Sequence, residues 1–303
     1  MFKTLLYELL KFFNLLYIAY RIRYFFTNKF KYPIIIENID FYQYKEKISQ
    51  ASLPDIGDKS WIKKLKIFHK NLKINGFDNF LLDPVILDTM FVRDNSFTKR
   101  EVDYLKSLNL DLKLLNENNI GNPILSKFLK NSSANLIHHA THYEKFLEFS
   151  DFNKFDHIFE FGGGYGSMAR YIANRTPTLK QYSIYDLELF TILQEFYLKN
   201  LFKDTHIKFE FLSNYKDLIL KNDFEKSLFI STWALSETPY ELRVRFEKYI
   251  LKFNFILIAF QKSVSDYNNL EYFNKLFSDK KYNKNLFEIP YYKNNYYLFC
   301  KKK

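Results

Sequence analysis

The sequence predicts an α/β fold, with a mostly parallel sheet of about seven strands and one reversed edge strand, preceded by a mainly helical N-terminal region. Three observations predict it. From His157 onward, short apolar runs rich in β-branched and aromatic residues alternate with segments of helical periodicity, and strands separated by helices pair in parallel. The chain ends in two further runs flanking Lys293-Asn294-Asn295, the pattern of an antiparallel hairpin. Finally, 303 residues, 47% of them hydrophobic, can bury a large core, and only seven glycines and seven prolines argue against a turn-rich β-sandwich or propeller.

The elements follow in order. Met1 to Phe26 is apolar and aromatic, but Glu8, Lys11 and Asn14 interrupt it, so it is not a clean membrane span. It has no convincing small-residue cleavage site for a signal peptide. Wound as a helix, it puts Thr4, Glu8, Lys11 and Asn14 on one side and Leu5, Leu9, Phe13, Leu16 and Tyr20 on another, ending in Arg21 and Arg23. Such a helix either docks on the protein's own core or lies on an anionic membrane face.

Trp61, Leu65, Phe68 and Leu72 recur at helical spacing, and Gly76 is placed to end that helix. Asn116 to Asn122, followed by Pro123, reads as a loop, and Ser132 or Ser133 caps a helix running to about Phe149. The strands expected next are His157–Phe161, Gln181–Tyr185, Ile207–Phe211, Ser227–Ser231 and Phe255–Phe260. Helices are expected near Ser167–Arg175, Leu189–Leu201 and Pro239–Leu251, the last with Thr238 as cap, Pro239 in the first turn and Glu241 closing a capping box. Phe287–Pro290 and Tyr296–Lys301 form the closing hairpin. The organisation is therefore residues 1–125, mainly helical and a substrate cap, then residues 126–303, the α/β domain.

Charge and cysteine content narrow the function classes. A net charge of +11 favours anionic partners: a phosphorylated substrate, a nucleic acid or a membrane surface. The lone cysteine, Cys300, excludes a disulfide scaffold and a cysteine-based zinc site, and points to a reducing compartment.

Four of the seven glycines, Gly162, Gly163, Gly164 and Gly166, follow the first strand and precede a helix. Such a cluster makes a tight strand-to-helix turn whose bare backbone a ligand can approach, with a helix N-terminus aimed at it. Glu160 lies two residues before the first glycine. Asp186 ends the second strand, where a carboxylate is placed to accept hydrogen bonds from both hydroxyls of a ribose. A dinucleotide fingerprint fits poorly. Gly162, Gly164 and Ser167 miss its third position, while Gly164, Gly166 and Ala169 sit too far past the strand.

The pattern Glu160-Phe-Gly162-Gly-Gly164-Tyr-Gly166 is similar to the cofactor loop of class I S-adenosylmethionine-dependent methyltransferases. Together with Tyr185-Asp186-Leu187 and Ser231-Thr232-Trp233-Ala234-Leu235-Ser236-Glu237-Thr238-Pro239, it resembles the bacterial sugar O-methyltransferases associated with surface polysaccharides. The resemblance covers roughly residues 120 to 262. It implies a Rossmann-like class I methyltransferase fold and S-adenosyl-L-methionine as cofactor. It implies that Glu160 helps hold the methionine amino group, that Gly162, Gly163, Gly164 and Gly166 let the cofactor lie over the loop, and that Asp186 binds the ribose. Ser213 and Asn214, after the third strand, fall where this fold meets the adenine, and Trp233 is placed as a wall for adenine or a sugar face.

A sugar hydroxyl needs a positioned base. Glu237, at the carboxyl edge of the sheet, is one candidate, although it also suits a helix-start carboxylate. His138, His139 and His142 are the other: on a helix His138 and His142 share a face and His139 neighbours it, and His139 and His142 are the members taken as catalytic. The same spacing occurs in zinc sites, but the cluster lacks the glutamate of H-E-x-x-H and no metal is expected. The partners expected are a sugar or glycan acceptor bearing phosphate, nucleotide- or lipid-linked, with peripheral membrane contact through residues 1–26 in the cytoplasm. No nucleic-acid partner is expected, because the place after the fourth strand lacks the Asp/Asn-Pro-Pro-Tyr/Phe motif of base methylation. A nucleic-acid methyltransferase, which the net charge favours, another small-molecule methyltransferase and a non-catalytic membrane-associated scaffold are the alternatives.

Overall fold

A computed structural model describes residues 41–53, 59–214, 224–264, 266–278 and 280–303; the proposed N-terminal amphipathic helix over residues 1–26 lies outside them. The described N-terminal part holds α1 (Phe41–Gln50), α2 (Lys59–Asn75), α3 (Pro84–Thr89), α4 (Ser96–Ser107) and α5 (Ala134–Phe149). Local chemistry sets their ends. The Gly76 N–H returns to the Leu72 carbonyl (2.9 Å) with φ 61°, closing α2 where the sequence placed its end. Asp83 caps α3 through the Val85 N–H, Asn95 and Thr98 form a reciprocal capping box on α4, and Ser133 accepts from the Leu136 N–H at the start of α5.

The α/β part runs β1 (His157–Phe161), α6 (Ser167–Arg175), β2 (Gln181–Tyr185), α7 (Glu188–Leu201), β3 (Lys208–Leu212), β4 (Ser227–Thr232), α8 (Ala234–Glu237), α9 (Tyr240–Ile250) and β5 (Phe255–Gln261). It closes with a small hairpin, β6 (Ser263–Val264) and β7 (Tyr267–Asn268), then α10 (Asn269–Leu276), β8 (Tyr282–Glu288) and β9 (Asn295–Lys302). Seven strands form one sheet in the order β3-β2-β1-β4-β5-β9-β8. Strands β1 to β5 are parallel, β9 is antiparallel to β5, and β8 is antiparallel to β9. The single reversed strand is thus β9, one position in from the edge. Its pairing with β8 is the predicted closing hairpin, with a first strand that starts earlier than expected.

One cap departs from the sequence reading. Proline, not Thr238, occupies the N-cap of α9 and no side-chain cap bond forms. Thr238 instead closes α8, its hydroxyl donating to the Ala234 carbonyl (2.8 Å), so Glu241 has no capping box to complete.

Alternation along the strands divides the core. Ile158, Ile184, Leu228, Ile230 and Leu257 face a cluster shared with α1, α2, α4, α5, α6 and α7. Phe159, Phe161, Phe229, Ile256 and Ile258 face a second cluster under α9 and α10. The N-terminal helices are therefore built into the first layer. Phe77 stacks on Phe196 at 4.4 Å and Phe68 on Phe190 at 5.3 Å, joining α2 and its exit to α7. A buried Arg170–Glu117 ion pair, with the Asn116 carbonyl also accepting from Arg170, fastens the loop before α5 to α6. No helix among the described residues is long and apolar enough to cross a membrane.

Candidate functional site

The carboxyl ends of β1, β2 and β4 open into a cleft of about 450 Å³, roofed by α2, the segment after α3, and α5. The turn after β1 forms its floor. Gly162, Gly164 and Gly166 have φ of 77°, 58° and 96°. A Cβ on Gly162 would lie 2.1 Å from the Ala234 Cβ, and one on Gly163 would lie 2.6 Å from Ile184 Cγ2. The first two positions of the cluster are thus glycine because β4's exit and β2 press against them. Gly164 lies in the cleft, and a Cβ there would come 3.2 Å from Met90 Sδ of the roof.

Asp186 lines the same cleft. Its Oδ2 accepts from the Gly164 N–H (3.0 Å) and from Gln194 Nε2 (2.9 Å), and its Oδ1 from the Leu187 N–H (2.8 Å). Gln194 also donates to the Gly164 carbonyl (2.8 Å), so one amide ties the acid to the glycine turn. A carboxylate offers about four acceptor positions, which leaves one toward the cleft. Glu160 is buried beneath the turn, its Oε2 accepting from the Tyr182 hydroxyl (2.9 Å). Burial pushes Glu160 up to about 8, with the Asp186 charge adding to the shift, and pushes Asp186 up to about 7 against its three hydrogen bonds.

The exit of β4 supplies the third wall. Trp233 holds φ 64°, a left-handed conformation that costs a non-glycine residue about 1–3 kcal/mol. Its surroundings fix it: the Trp233 N–H donates to the Ala259 carbonyl (2.6 Å), Nε1 donates to Asn295 Oδ1 (2.8 Å), and its carbonyl accepts from Ser236 and Glu237 N–H. The buried Arg243 guanidinium donates to the carbonyls of Ser236 (2.8 Å) and Thr238 (3.0 Å), bracing the turn that carries Glu237. Glu237 stands exposed on the rim, accepting from Gln261 Nε2 (3.2 Å), and partial desolvation raises its carboxyl above the ordinary range while Lys64 opposes the rise.

The histidines separate. His138 and His139 line the cleft, whereas His142 is fully buried, outside the cleft lining, with Nδ1 on the Tyr297 hydroxyl at 2.5 Å. Burial, with His138 and His139 nearby, holds His142 well below its ordinary value, and burial takes His139 down to about 3. The sequence placed His142 beside the acceptor; a shared helical face gives direction but no depth, and here the deeper turn of that face meets β9. Ser213 and Asn214 are exposed after β3 and are not among the residues lining the cleft. Glu160, Gly162, Gly163, Gly164, Asp186, Trp233, His138, His139 and Glu237 do share it, and Gly166 caps α6 just behind.

Three polar residues of the site escaped the sequence reading. Gln194 was signalled by being the lone amide among Leu193, Phe196 and Tyr197 on an apolar helix. Tyr182 and Glu101 carried no such signal. Glu101, on α4, is buried and bonds His138 Nδ1 at 2.6 Å. Among the described residues no three His, Cys, Asp or Glu side chains are grouped to hold a metal ion.

No protein-family model matches the chain and no curated protein matches it. Solved structures do. A SAM-dependent methyltransferase from Aquifex aeolicus is similar at 15% identity and TM-score 0.40, over 53% of this chain and 89% of that one. An rRNA methylase from Streptococcus thermophilus is similar at 13% identity and TM-score 0.40, over 54% and 95%. The mitomycin 7-O-methyltransferase MmcR is similar at 11% identity and TM-score 0.38, over 56% and 57%. Strand order, the one reversed strand and the glycine turn at the end of β1 give this chain a Rossmann-like α/β architecture, with the sheet the sequence predicts.

Proposed function

We propose that this chain is an S-adenosylmethionine-dependent O-methyltransferase whose acceptor is a sugar hydroxyl in the assembly of a bacterial surface polysaccharide. One observation carries the cofactor half: two carboxyls, Glu160 and Asp186, flank a side-chain-free turn in one cleft, and burial holds both near neutrality. Among the described residues no cation is paired with either carboxyl. S-adenosylmethionine carries both an ammonium and a sulfonium, and one ribose hydroxyl can donate to the remaining acceptor position of Asp186. Gly164 N–H already orients that carboxylate, so the turn and the acid act as one element.

When bound, the cofactor supplies a methyl group already activated on sulfur. The protein's own part is to align an acceptor oxygen with it at near-attack distance and to receive the hydroxyl proton. The roof, the β4 exit and the β8–β9 turn present Trp61, Trp233 and Tyr292, flat apolar surfaces suited to the carbon faces of a sugar ring, in the same cleft as Glu237 and the two histidines. The segment from Thr232 to Pro239, which carries the resemblance to sugar O-methyltransferases, forms this side of the cleft. The net charge of +11 supports an acceptor bearing phosphate, nucleotide- or lipid-linked.

Calorimetric titration with S-adenosylmethionine tests the first half. Binding is expected to weaken about 30- to 150-fold in Asp186→Ala and to be lost in Gly164→Arg; a folded, unaltered chain that does not bind rejects the reading. Comparing surface-glycan mass with and without the gene tests the second half, with a difference of one methyl group expected.

A further inference from the structure

Of the three histidines near the cleft, His138 has a setting the other two lack. Its Nδ1 lies 2.6 Å from Glu101 Oε1, in a pair whose side chains are 7% and 4% exposed. A carboxylate partner places the proton on Nδ1, which leaves the lone pair on Nε2, across the ring from Glu101. The imidazole lies against the Trp233 indole (5.5 Å, 27° between planes) and is held from the side by Phe97 (5.1 Å) and His142 (4.1 Å). Two rings at its edges and one on its face leave it little freedom to rotate. Among the described residues, Glu101 Oε2 is buried with no hydrogen-bond partner, and the carboxylate is hydrogen-bonded to the imidazole alone.

We propose that His138 is the general base of the transfer and that Glu101 is the positioning residue that fixes its tautomer and stabilises its imidazolium. This rests on the methyltransferase reading above. In the step, the acceptor oxygen forms a bond to the methyl carbon as the carbon–sulfur bond breaks, and that electron pair stays on sulfur. The hydroxyl proton passes to His138 Nε2, and the resulting positive charge is balanced by Glu101.

The alternatives within the cluster are weaker on geometry. His142 is closed off by Tyr297 and lies outside the cleft lining. His139 Nδ1 is buried without a partner, and no carboxylate is bonded to its ring. The titratable groups around His138 are Glu101 from α4, His139 and His142 from its own helix, Tyr297 behind His142 from β9, and Glu160, Asp186 and Glu237 across the cleft. Glu101 is the carboxylate in direct contact. A bland role, a buried polar staple between α4 and α5, predicts lost stability and no selective loss of transfer.

The test has two arms. In the first, methyl incorporation from labelled S-adenosylmethionine is followed into the glycan-precursor fraction of cells lacking the gene, alongside calorimetric binding of S-adenosylmethionine. His138→Asn is expected to lose about 100-fold or more in kcat with cofactor binding unchanged. Because that variant leaves Glu101 buried and unpaired, the double variant Glu101→Gln/His138→Asn serves as the folding control and is expected to be equally slow. Glu101→Gln alone is expected to slow kcat while leaving cofactor binding unchanged. Transfer within tenfold of the unaltered chain in either His138 variant overturns the assignment. The second arm is histidine ¹⁵N NMR of the cofactor-free chain, which is expected to show the His138 proton on Nδ1; a proton on Nε2 at neutrality also overturns it. This arm reads the pair directly, so a failure of the unaltered chain to transfer methyl counts against the proposed function alone.

Discussion

The floor and the roof of the cleft are built on different terms. The floor is main chain: a strand-to-helix turn in which three glycines take positive φ, with Asp186 tied to the Gly164 and Leu187 N–H groups and Glu160 buried beneath on the Tyr182 hydroxyl. The roof is side chain: Met90, His138 and His139, delivered by the segment after α3 and by α5 and supported by Glu101 of α4. Bare backbone accepts a ligand of fixed shape, whereas side chains from three separate segments can be varied without disturbing the sheet. The floor therefore suits a cofactor and the roof an acceptor.

The largest expected effect would come from the floor. Gly162→Val puts a side chain where even a Cβ would overlap Ala234, at a φ that disfavours β-branched residues. A loss of roughly 3 kcal/mol or more in unfolding free energy is expected, measured by chemical denaturation. An unchanged midpoint would mean that the turn has slack the geometry denies.

Asp186→Ala comes next. It removes the acceptor of two main-chain N–H groups and a buried amide, so S-adenosylmethionine should bind about 30- to 150-fold more weakly, the equivalent of a charge-assisted hydrogen bond of about 2–3 kcal/mol. Equal weakening by Tyr292→Ala would erase the distinction between floor and roof.

The buried Glu160 gives a pH signature. Folding raises its value from the ordinary carboxylate range to about 8. Between those limits the folded state keeps a proton that the unfolded chain has lost, so stability falls as pH rises through that window and levels above it. The slope approaches about 1.4 kcal/mol per pH unit at most. Cationic cofactor should show the reverse, binding more tightly as the carboxyl ionises. Glu160→Gln should remove its share of both trends and leave the part that Asp186, raised to about 7, contributes; a stability that climbs with pH across the window would contradict the burial argument.

The smallest effect belongs to the rim of the roof. Tyr292, on the β8–β9 turn, is 42% exposed and packs at a tilt against the rings of Phe97 (5.2 Å) and Trp233 (6.0 Å). Tyr292→Ala is expected to change stability by no more than about 0.5 kcal/mol, to raise acceptor KM by a few fold and to leave cofactor binding alone.

The same division decides what the sequence could reveal. Backbone turns demand particular residues at fixed spacing, so the glycine run, Glu160 and Asp186 are legible as a set, and the alternation of strands and helices gives the sheet. Contacts between helices leave no such mark. Glu101 and His138 lie 37 positions apart on different helices, and nothing local to either announces the other. Periodicity put His138 and His142 on one face but could not tell that β9 closes over the second. Thr238-Pro239 looked like a helix start because cap residues serve either end, and here the threonine finishes α8 instead.

One titration reaches the centre of the matter: calorimetry of S-adenosylmethionine into the unaltered chain, repeated at rising pH. If the glycine turn and its two carboxyls exist to hold this nucleoside cation, one molecule binds per chain and affinity increases as Glu160 passes through about 8. A folded chain that takes up no cofactor, or takes it up equally at every pH, contradicts the claim.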